Sequence, residues 1–494
     1  MRADERKTGP SGPLGPGGDL PTPNRRTALG LLAGAGVFAL AGRSGAVTPD
    51  PGVIQEVDLT ARERAIELAA LPGKPLPLYV YGDAPFRTIR LSKGERLRAT
   101  LTNRLSEHTS IHWHGLRIAN GMDGIPWLTQ PPTRPGESYL YDFIPPDSGT
   151  FFFHPHCDVI GQIGRGLEGL LIVENPDDPY KADHVLAVRD WRVDPDKGVF
   201  LPISTDAGAA KAGTFGTLRS VNGAAQPDFS VPAGEYARIR ILAVDPTRIV
   251  EIGIEGCEAA IIAVDGFAVG PLPLASWRMG MAMRLDLAIR LKDASTKAKL
   301  VDYFGSEPVT LATFSGTGDK VAAGDFAPPA LAPHGLAEPD LANAETVPFL
   351  FSASSSPGDV PAPITLPDGV VFDPADGLCV SSRTFWSINR TSWPGQGARG
   401  LPQPLVTLKR GRTYIFELTN TTPRSHPIHI HGFGAKILDC SQLPRPVHRA
   451  DTVLLTTKER IRMAFVADNP GDWMFHCHIL EHEETGMMGI IRVA

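Results

Sequence analysis

The chain has 494 residues, too many for one compact core, and this length predicts two to four domains. Its formal net charge is -6 and charged residues make up 21%, so it lacks the basic excess typical of nucleic-acid-binding proteins. Glycine (51 residues) and proline (46 residues) are frequent, which favours many short strands joined by turns over a helical protein.

Residues 1–46 are predicted to be an export signal with a disordered N-terminus, outside the folded protein. The pair Arg25-Arg26 precedes an apolar run from Leu29 to Ala41, which resembles a twin-arginine signal. The alternative is a disordered tail with a chance arginine pair. The run is shorter than the ~20 residues that a membrane span needs, and no later run is long enough. We therefore expect a periplasmic or secreted protein without a membrane span in its mature form.

An internal repeat divides the rest of the chain into three parts. Residues 94–103 contain a turn glycine and then an alternating strand, and the pattern recurs at residues 234–243 and 411–420. Strands at about 8–12-residue spacing, without helical periodicity, are typical of a β-sandwich or barrel. The predicted domains are residues 47–180, 181–335 and 336–494.

Eight of the 14 histidines form four His-X-His pairs, two in the first predicted domain and two in the third. Because alternate residues of a strand point to the same face, the two imidazoles of each pair lie side by side. Imidazole is a ligand that suits copper, zinc, iron and nickel, so the repeated pairs indicate a metal site. The pairs are His112/His114, His154/His156, His429/His431 and His476/His478.

The middle copy of the repeat keeps the strand and lacks the histidines. Ile252 and Ile254 stand where the first copy has His112 and His114. We therefore predict that the middle domain binds no metal.

A cysteine gives the last pair a different chemistry. Cys477 stands where the first-domain repeat has Pro155, and its side chain is expected on the opposite strand face from the histidines beside it. One more histidine precedes the third pair, and a histidine and a methionine follow the fourth. Two imidazoles, a thiolate and a weak thioether make a blue-copper electron-transfer site. These residues are His426, Cys477, His482 and Met487.

Four segments resemble the four copper signatures of multicopper oxidases, a family that includes laccases, bilirubin oxidases and bacterial cuprous oxidases. The resemblance covers nearly the whole mature chain. It implies an all-β protein of three cupredoxin-like Greek-key β-barrel or sandwich domains, with the middle domain as a copper-free spacer. The segments are His-Trp-His-Gly (112–115), His-Pro-His (154–156), His-Pro-Ile-His-Ile-His-Gly (426–432) and the run from His476 to Met487.

The resemblance also implies four copper ions and assigns their ligands. The type 1 copper would be held by His426, Cys477, His482 and Met487, and the type 2 copper by His112 and His429. The two type 3 coppers would be held by His114, His154, His156, His431, His476 and His478. The trinuclear cluster of type 2 and type 3 copper would lie between the first and third domains.

The activity that the resemblance implies is a relay of single electrons. A small reducing substrate is oxidised at the type 1 copper near His426, and electrons pass through Cys477 to the cluster, where four of them reduce one dioxygen to two waters. Asp123 and Glu483 match acidic positions that supply protons in the family. The alternatives are a turn residue for Asp123 and a solvated charge for Glu483. The expected partners are dioxygen and the reducing substrate, with no nucleic acid, and we expect a monomer.

The reducing substrate is the most open question. With nine methionines and no methionine-rich segment, the sequence favours phenols or aromatic amines over Cu(I), although a cuprous or other metal-ion oxidase remains an alternative. Met279, Met281 and Met283 alternate, which fits one face of a strand more simply than a Cu(I) site. A non-catalytic cupredoxin scaffold or a copper nitrite reductase is disfavoured because the ligand set is complete. Cys157, Cys257, Cys379 and Cys440 could form disulfides, in a pairing that the sequence leaves open.

Overall fold

The computed structural model describes residues 52–353, 384–393 and 401–494, and the backbone of two short strands at 364–365 and 371–372. The predicted export signal (1–46) and Cys379 lie outside the described residues. No helix within the described ranges is both long enough and apolar enough to cross a membrane.

The first pair of sheets holds eight strands, in the orders β2-β1-β4-β6 and β3-β8-β7-β5. A 3-10 helix (Asn120–Met122) and helix α1 (Val159–Gly164) interrupt it. The strands are β1 (Ile54–Ile66), β2 (Leu76–Tyr81), β3 (Arg87–Ser92), β4 (Arg96–Asn103), β5 (His112–His114), β6 (Ser138–Phe143), β7 (Gly149–His154) and β8 (Gly169–Glu174).

The second pair of sheets has the orders β12-β9-β14-β19-β16-β17 and β13-β21-β20-β15-β18, with the short hairpin β10-β11 and helix α2 (Asp206–Ala209). The strands are β9 (Ala182–Trp191), β10 (Val193–Asp194), β11 (Val199–Phe200), β12 (Leu218–Val221), β13 (Asp228–Pro232), β14 (Tyr236–Ala243), β15 (Val250–Glu255), β16 (Glu258–Val264), β17 (Phe267–Pro273), β18 (Trp277–Met279), β19 (Arg284–Arg290), β20 (Lys297–Asp302) and β21 (Val309–Thr317).

The third pair has the orders β25-β22-β27-β32-β29-β30 and β26-β34-β33-β28-β31, with the hairpin β23-β24 and helix α3 (Leu480–Glu484). The strands are β22 (Glu345–Ala353), β23 (Ile364–Thr365), β24 (Val371–Phe372), β25 (Trp386–Ile388), β26 (Val406–Leu408), β27 (Thr413–Asn420), β28 (His426–Ile430), β29 (Ala435–Cys440), β30 (His448–Ala450), β31 (Thr452–Leu455), β32 (Arg460–Val466), β33 (Gly471–Cys477) and β34 (Met488–Val493).

The repeat found in the sequence occupies the same place in each pair of sheets. Strands β4, β14 and β27 each pair in parallel with a preceding strand (β1, β9 and β22) and antiparallel with a following one (β6, β19 and β32). Gly94, Gly234 and Gly411 open these turns with positive φ angles of 96°, 72° and 79°, a conformation that favours glycine. The described structure is thus almost entirely β, which confirms the predicted fold class.

Alternation along these strands builds the core. In β4 the side chains of Leu97, Ala99 and Leu101 are fully buried, and the residues between them are partly exposed. Burial of apolar side chains on one strand face drives the sheets together, so a period of two in the sequence becomes a sandwich.

Candidate metal centre

Strand register brings the histidine pairs together two by two. In the first pair of sheets His112 on β5 lies opposite His154 on β7. In the third, His429 on β28 lies opposite His476 on β33. Both pairings are antiparallel, so directly opposite side chains share a face and project to the same side of the sheet.

All eight imidazoles of the pairs meet in one buried space, which we call the histidine cluster. It divides into groups whose ligand atoms all lie within 4.8 Å of one another. The cluster joins strands of the first and third pairs of sheets, as the sequence predicted. The groups are His112/His114/His429, His114/His154/His478 and His156/His431/His476.

Outward-facing ring nitrogens of the cluster are fixed by carbonyl oxygens. His112 Nδ1 donates to the Asp123 carbonyl, His429 Nδ1 to the Asp451 carbonyl and His154 Nδ1 to the Pro155 carbonyl, each at 2.9 Å. A carbonyl only accepts, so Nδ1 carries the proton and Nε2 keeps its lone pair. Such bonds orient imidazoles as metal ligands.

The inward-facing nitrogens fit a metal. Among the described residues, Nε2 of His112, His154 and His429 and Nδ1 of His114 are buried without a hydrogen-bond partner. A buried polar atom left unpaired costs about 1–3 kcal/mol, and a metal ion would remove that cost. His431 Nε2 lies 3.0 Å from His476 Nε2, close enough for one cation to accept both lone pairs.

Burial favours the neutral, metal-binding form of six imidazoles of the cluster by lowering their pKa values. Loss of solvation lowers the pKa of His429 to about 4. In five other members of the cluster, loss of solvation lowers the pKa well below its usual range, and repulsion between neighbouring imidazoles adds to the effect. Metal binding therefore competes with little protonation near neutral pH. These five are His114, His154, His156, His431 and His478.

A second buried site, which we call the cysteine site, joins His426, Cys477 and His482. Cys477 Sγ lies 3.7 Å from His426 Nδ1 and 3.6 Å from His482 Nδ1, and the two Nδ1 atoms are 3.0 Å apart. Burial lowers the pKa of His482 to about 3 and raises that of the Cys477 thiol. A bound cation would reverse the effect on the thiol, because a coordinated thiol is deprotonated.

Met487 adjoins the cysteine site through backbone hydrogen bonds to two of its residues. Its side chain is fully buried. The Cys477 N–H donates to the Met487 carbonyl at 3.0 Å, and the Met487 N–H donates to the His482 carbonyl at 2.9 Å. The structure thus brings together the ligand atoms of three of the four residues predicted for the blue-copper site, with the backbone of Met487 beside them.

Two carboxylates contact the histidine cluster, and both are almost completely buried. Asp123 ends the 3-10 helix, and its Oδ2 accepts from His431 Nδ1 at 2.9 Å. Glu483 lies in α3, with Oε2 3.1 Å from His476 Nδ1. The alternative of a solvated charge for Glu483 is wrong, and Asp123 combines a turn position with a side chain directed at the cluster.

Sequence reasoning missed a third carboxylate. Asp451 Oδ1 lies 3.1 Å from His114 Nε2, and the Arg284 guanidinium binds both Asp451 oxygens, at 2.7 and 2.5 Å. Although burial alone would raise the pKa of Asp451, Arg284 holds it below its usual range. Asp265 accepts from the backbone N–H groups of Asp451 (3.2 Å) and Thr452 (3.0 Å).

Arg284 and Asp265 belong to the second pair of sheets, which therefore also contacts the residues behind the histidine cluster. That pair keeps a buried Ile252 where a histidine would stand, as expected. It nevertheless places a fully buried guanidinium behind two cluster histidines. Arg284 and Asp265 belong to no recognisable motif, so this contact could not be predicted from the sequence.

The state of the cysteines and the burial of the alternating methionines can also be compared with the sequence-based expectations. Cys157, Cys257, Cys440 and Cys477 are all free thiols. Met279, Met281 and Met283 are all buried among apolar side chains, but only Met279 lies on a strand (β18). Met281 and Met283 lie in the turn before β19, so the prediction that the three share one strand face is wrong.

Comparison with known proteins shows which proteins this chain resembles. Models of the multicopper oxidase family match residues 73–178 and residues 379–494. Multicopper oxidase MmcO of Mycobacterium tuberculosis is 28% identical, over 92% of this chain and 90% of its own. Laccase-1 of Fomitopsis schrenkii is 28% identical, over 93% of this chain and 90% of its own. The crystal structure of a multi-copper oxidase from Pseudomonas thermotolerans is 35% identical, covers 90% of this chain and 100% of that chain, and has a TM-score of 0.78.

The chain therefore belongs to the multicopper oxidase family, as its motifs indicated. Its fold is the predicted set of cupredoxin-like domains. Family membership makes it a copper-binding oxidoreductase, and the buried histidines are compatible with that cofactor.

Proposed function

We propose that the protein holds four copper ions, one at the cysteine site and three in the histidine cluster. The cysteine site offers two imidazoles, a thiolate and the nearby Met487 to a type 1 copper. His112 and His429 would hold a type 2 copper. Each of the two type 3 coppers would be held by three histidines, one by His114/His154/His478 and the other by His156/His431/His476.

One observation supports the coupling of these sites above all others. Cys477 ends β33, and its thiol is directed at His426 and His482, whereas its neighbours His476 and His478 belong to the cluster. Copper bound at these residues supplies one-electron redox chemistry. The chain supplies a short covalent path between the two sites, because Cys477 is bonded directly to His476 on one side and to His478 on the other.

The reaction that this arrangement serves is oxidation of a reducing substrate by dioxygen. Four electrons from four substrate molecules and four protons convert one dioxygen to two waters. We propose that Asp123 and Glu483 pass protons, because each carboxylate contacts a ligand histidine in a buried space. A carboxylate in such a place can also orient its histidine, and the two roles are separable by experiment.

We favour phenols or aromatic amines as the reducing substrate. Every methionine within the described ranges is buried or half-buried, so no exposed thioether cluster offers a landing site for Cu(I). The similarity to the protein named Laccase-1 of Fomitopsis schrenkii supports the laccase-like alternative. Oxidation of Cu(I) or another metal ion is the second candidate.

The proposed setting follows from the same features. We propose export through a twin-arginine-type signal to the periplasm or outside the cell, and a monomer that acts on dioxygen and a small substrate. The experiment that tests the function is a kinetic panel on copper-loaded enzyme with a substituted phenol, an aromatic diamine, Cu(I), Mn(II) and bilirubin. We expect kcat/KM for the phenol or the diamine to exceed that for Cu(I) by about tenfold or more, which corresponds to ~1.4 kcal/mol in the barrier. A preference for Cu(I) would instead support the metal-ion oxidase.

A further inference from the structure

The outer edge of the cysteine site is closed by the second pair of sheets. His482 Nε2, the ring nitrogen that faces away from Cys477, donates to the Lys211 carbonyl at 2.9 Å. The imidazole is fully buried. A substrate therefore cannot touch the edge of His482 while Lys211 stays in place.

Lys211 belongs to a segment that we call the cap, residues 204–214, which includes α2. Trp386 fixes the cap from one side, because its Nε1 donates to the Ala209 carbonyl at 2.7 Å. The Trp386 ring also lies 4.4 Å from the His482 ring, centroid to centroid. The cap thus rests directly on the ligands of the cysteine site.

Glu481, the residue before His482, holds the cap from the other side. Its carboxylate accepts from Ser204 Oγ (2.8 Å), the Thr205 N–H (3.2 Å), Thr214 Oγ1 (2.8 Å) and the Thr214 N–H. The side chain is only 1% exposed, and the side-chain bonds described for it all go to the cap. Four donors satisfy a buried carboxylate, so the contact fixes both ends of the cap.

The outer face of the cap is open to solvent. Lys211 is exposed, as are Asp206, Ala207 and Ala210, whereas Ala209 and Thr214 face inwards. The hydrogen bond from His482 Nε2 to the Lys211 carbonyl therefore connects the buried imidazole to a residue on the exposed face of the cap.

We propose that the cap separates the reducing substrate from His482, that Glu481 is the positioning residue that keeps it closed, and that the substrate docks on the outer face beside Lys211. This inference rests on the proposed function, because it concerns electron entry to the cysteine site. A phenol docked there would give one electron, by way of the Lys211 carbonyl, to the Cu(II) that the cysteine site would hold, release its proton to water and leave as a phenoxyl radical. Charge at residue 211 then sets which substrates bind well.

Charge reversal tests the docking position. Lys211→Glu removes no bond to His482, because the acceptor is the backbone carbonyl. With anionic hexacyanoferrate(II) we expect kcat/KM to fall about tenfold, and with a cationic aromatic amine to rise, because a nearby charge changes the encounter rate by such factors. The matched control is Lys197→Glu, an exposed lysine on the same pair of sheets. If both variants stay within about twofold of the parent for both substrates, the substrate docks elsewhere and the proposal is overturned.

Release of the cap tests Glu481. In Glu481→Gln an amide replaces one oxygen that accepts from the cap, so amide hydrogen exchange of residues 206–214 should quicken about tenfold or more. KM for a bulky phenol should fall while the blue absorption persists. The control is Glu168→Gln, a buried carboxylate paired with Arg189. Unchanged exchange and KM in the Glu481 variant would overturn its role, and Thr214→Val, which deletes one donor, gives a second test if Glu481→Gln fails to fold.

The parent enzyme separates this failure from that of the proposed function. A parent that is neither blue nor active after copper loading refutes the proposed function, and the cap proposal with it. If the parent is blue and active but the Lys211 and Glu481 variants behave like it, the cap proposal is refuted and the proposed function is not.

Discussion

Arg284 and Asp451 form a doubly hydrogen-bonded ion pair with no solvent exposure on either side chain. The pair joins β19 to the residue just before β31, and Asp451 in turn contacts His114 through its side chain and His429 through its carbonyl. Because both histidines are candidate copper ligands, this ion pair connects the second pair of sheets to the geometry of the cluster.

Removal of Arg284 should disturb the cluster more than the fold around it. Arg284→Met leaves the Asp451 charge buried and unpaired, which costs about 3–5 kcal/mol. We expect loss of the type 2 copper signal in electron paramagnetic resonance, with the blue absorption retained. Arg284→Lys keeps the charge and should recover part of the signal.

Arg189 provides the control for that prediction. It forms a similarly buried pair with Glu168, and none of the hydrogen bonds described for Arg189 reaches a histidine. Arg189→Met should lower the denaturant midpoint comparably and leave the copper signals intact. Equal loss of type 2 copper in both variants would show that Arg284 acts only through stability.

The two carboxylates beside the cluster should govern the dioxygen half of the reaction. Asp123→Asn and Glu483→Gln keep an oxygen that can accept from His431 or His476, so copper load and blue colour should persist. Removal of a proton carrier should slow reoxidation of the fully reduced enzyme about tenfold or more. Stopped-flow measurements against pH check this, and reoxidation at the parent rate with equal copper content would make both carboxylates purely structural.

Copper stoichiometry tests the distribution of ligands. We expect four coppers per chain, none of them held by the second pair of sheets, where Ile252 is part of an apolar core. Metal analysis of carefully loaded protein measures this. One copper per chain, or zinc alone, is incompatible with the proposed sites.

Acid should destabilise the copper-free protein in a defined range of pH. Burial lowers the pKa of His429 to about 4 and that of His482 to about 3, whereas both titrate near ~6.5 when unfolded. The unfolded chain therefore binds more protons below pH ~6.5, and stability falls as the pH drops from there towards 4. Each such histidine contributes up to about 1.4 kcal/mol per pH unit. Urea unfolding of the copper-free protein at several pH values should show a midpoint urea concentration that decreases as the pH is lowered. A midpoint that does not change across this range would contradict the buried neutral state.

The parts of the site that the sequence predicted share one property: each lies within a short motif on a strand. Alternation alone places His112 beside His114 and turns Cys477 away from its neighbours, so spacing is sufficient information. The threefold fold was accessible for the same reason, because the strand after each turn glycine repeats in the chain. Glu483 was found because it adjoins a ligand.

The parts that it missed depend on packing between distant segments. Asp451 meets Arg284 across 167 residues, and Glu481 meets Thr214 across 267. Nothing local distinguishes Arg284 from the other arginines of its sheet, and its role appears only when β19 packs behind the cluster. The sequence of the middle repeat was enough to predict that it lacks the histidines. It was not enough to predict which of its side chains contact the two sites.

The central claim, that Cys477 joins a blue-copper site to the histidine cluster, is tested most directly by Cys477→Ser. The visible absorption spectrum, copper content and turnover of the copper-loaded variant should be measured beside those of Cys257→Ser, which changes a free thiol in the turn between β15 and β16. Serine is a poor ligand for blue copper, so the Cys477 variant should lose the intense blue band and nearly all turnover while the cluster coppers remain. A Cys477→Ser protein that stays blue with an unchanged spectrum would contradict the account.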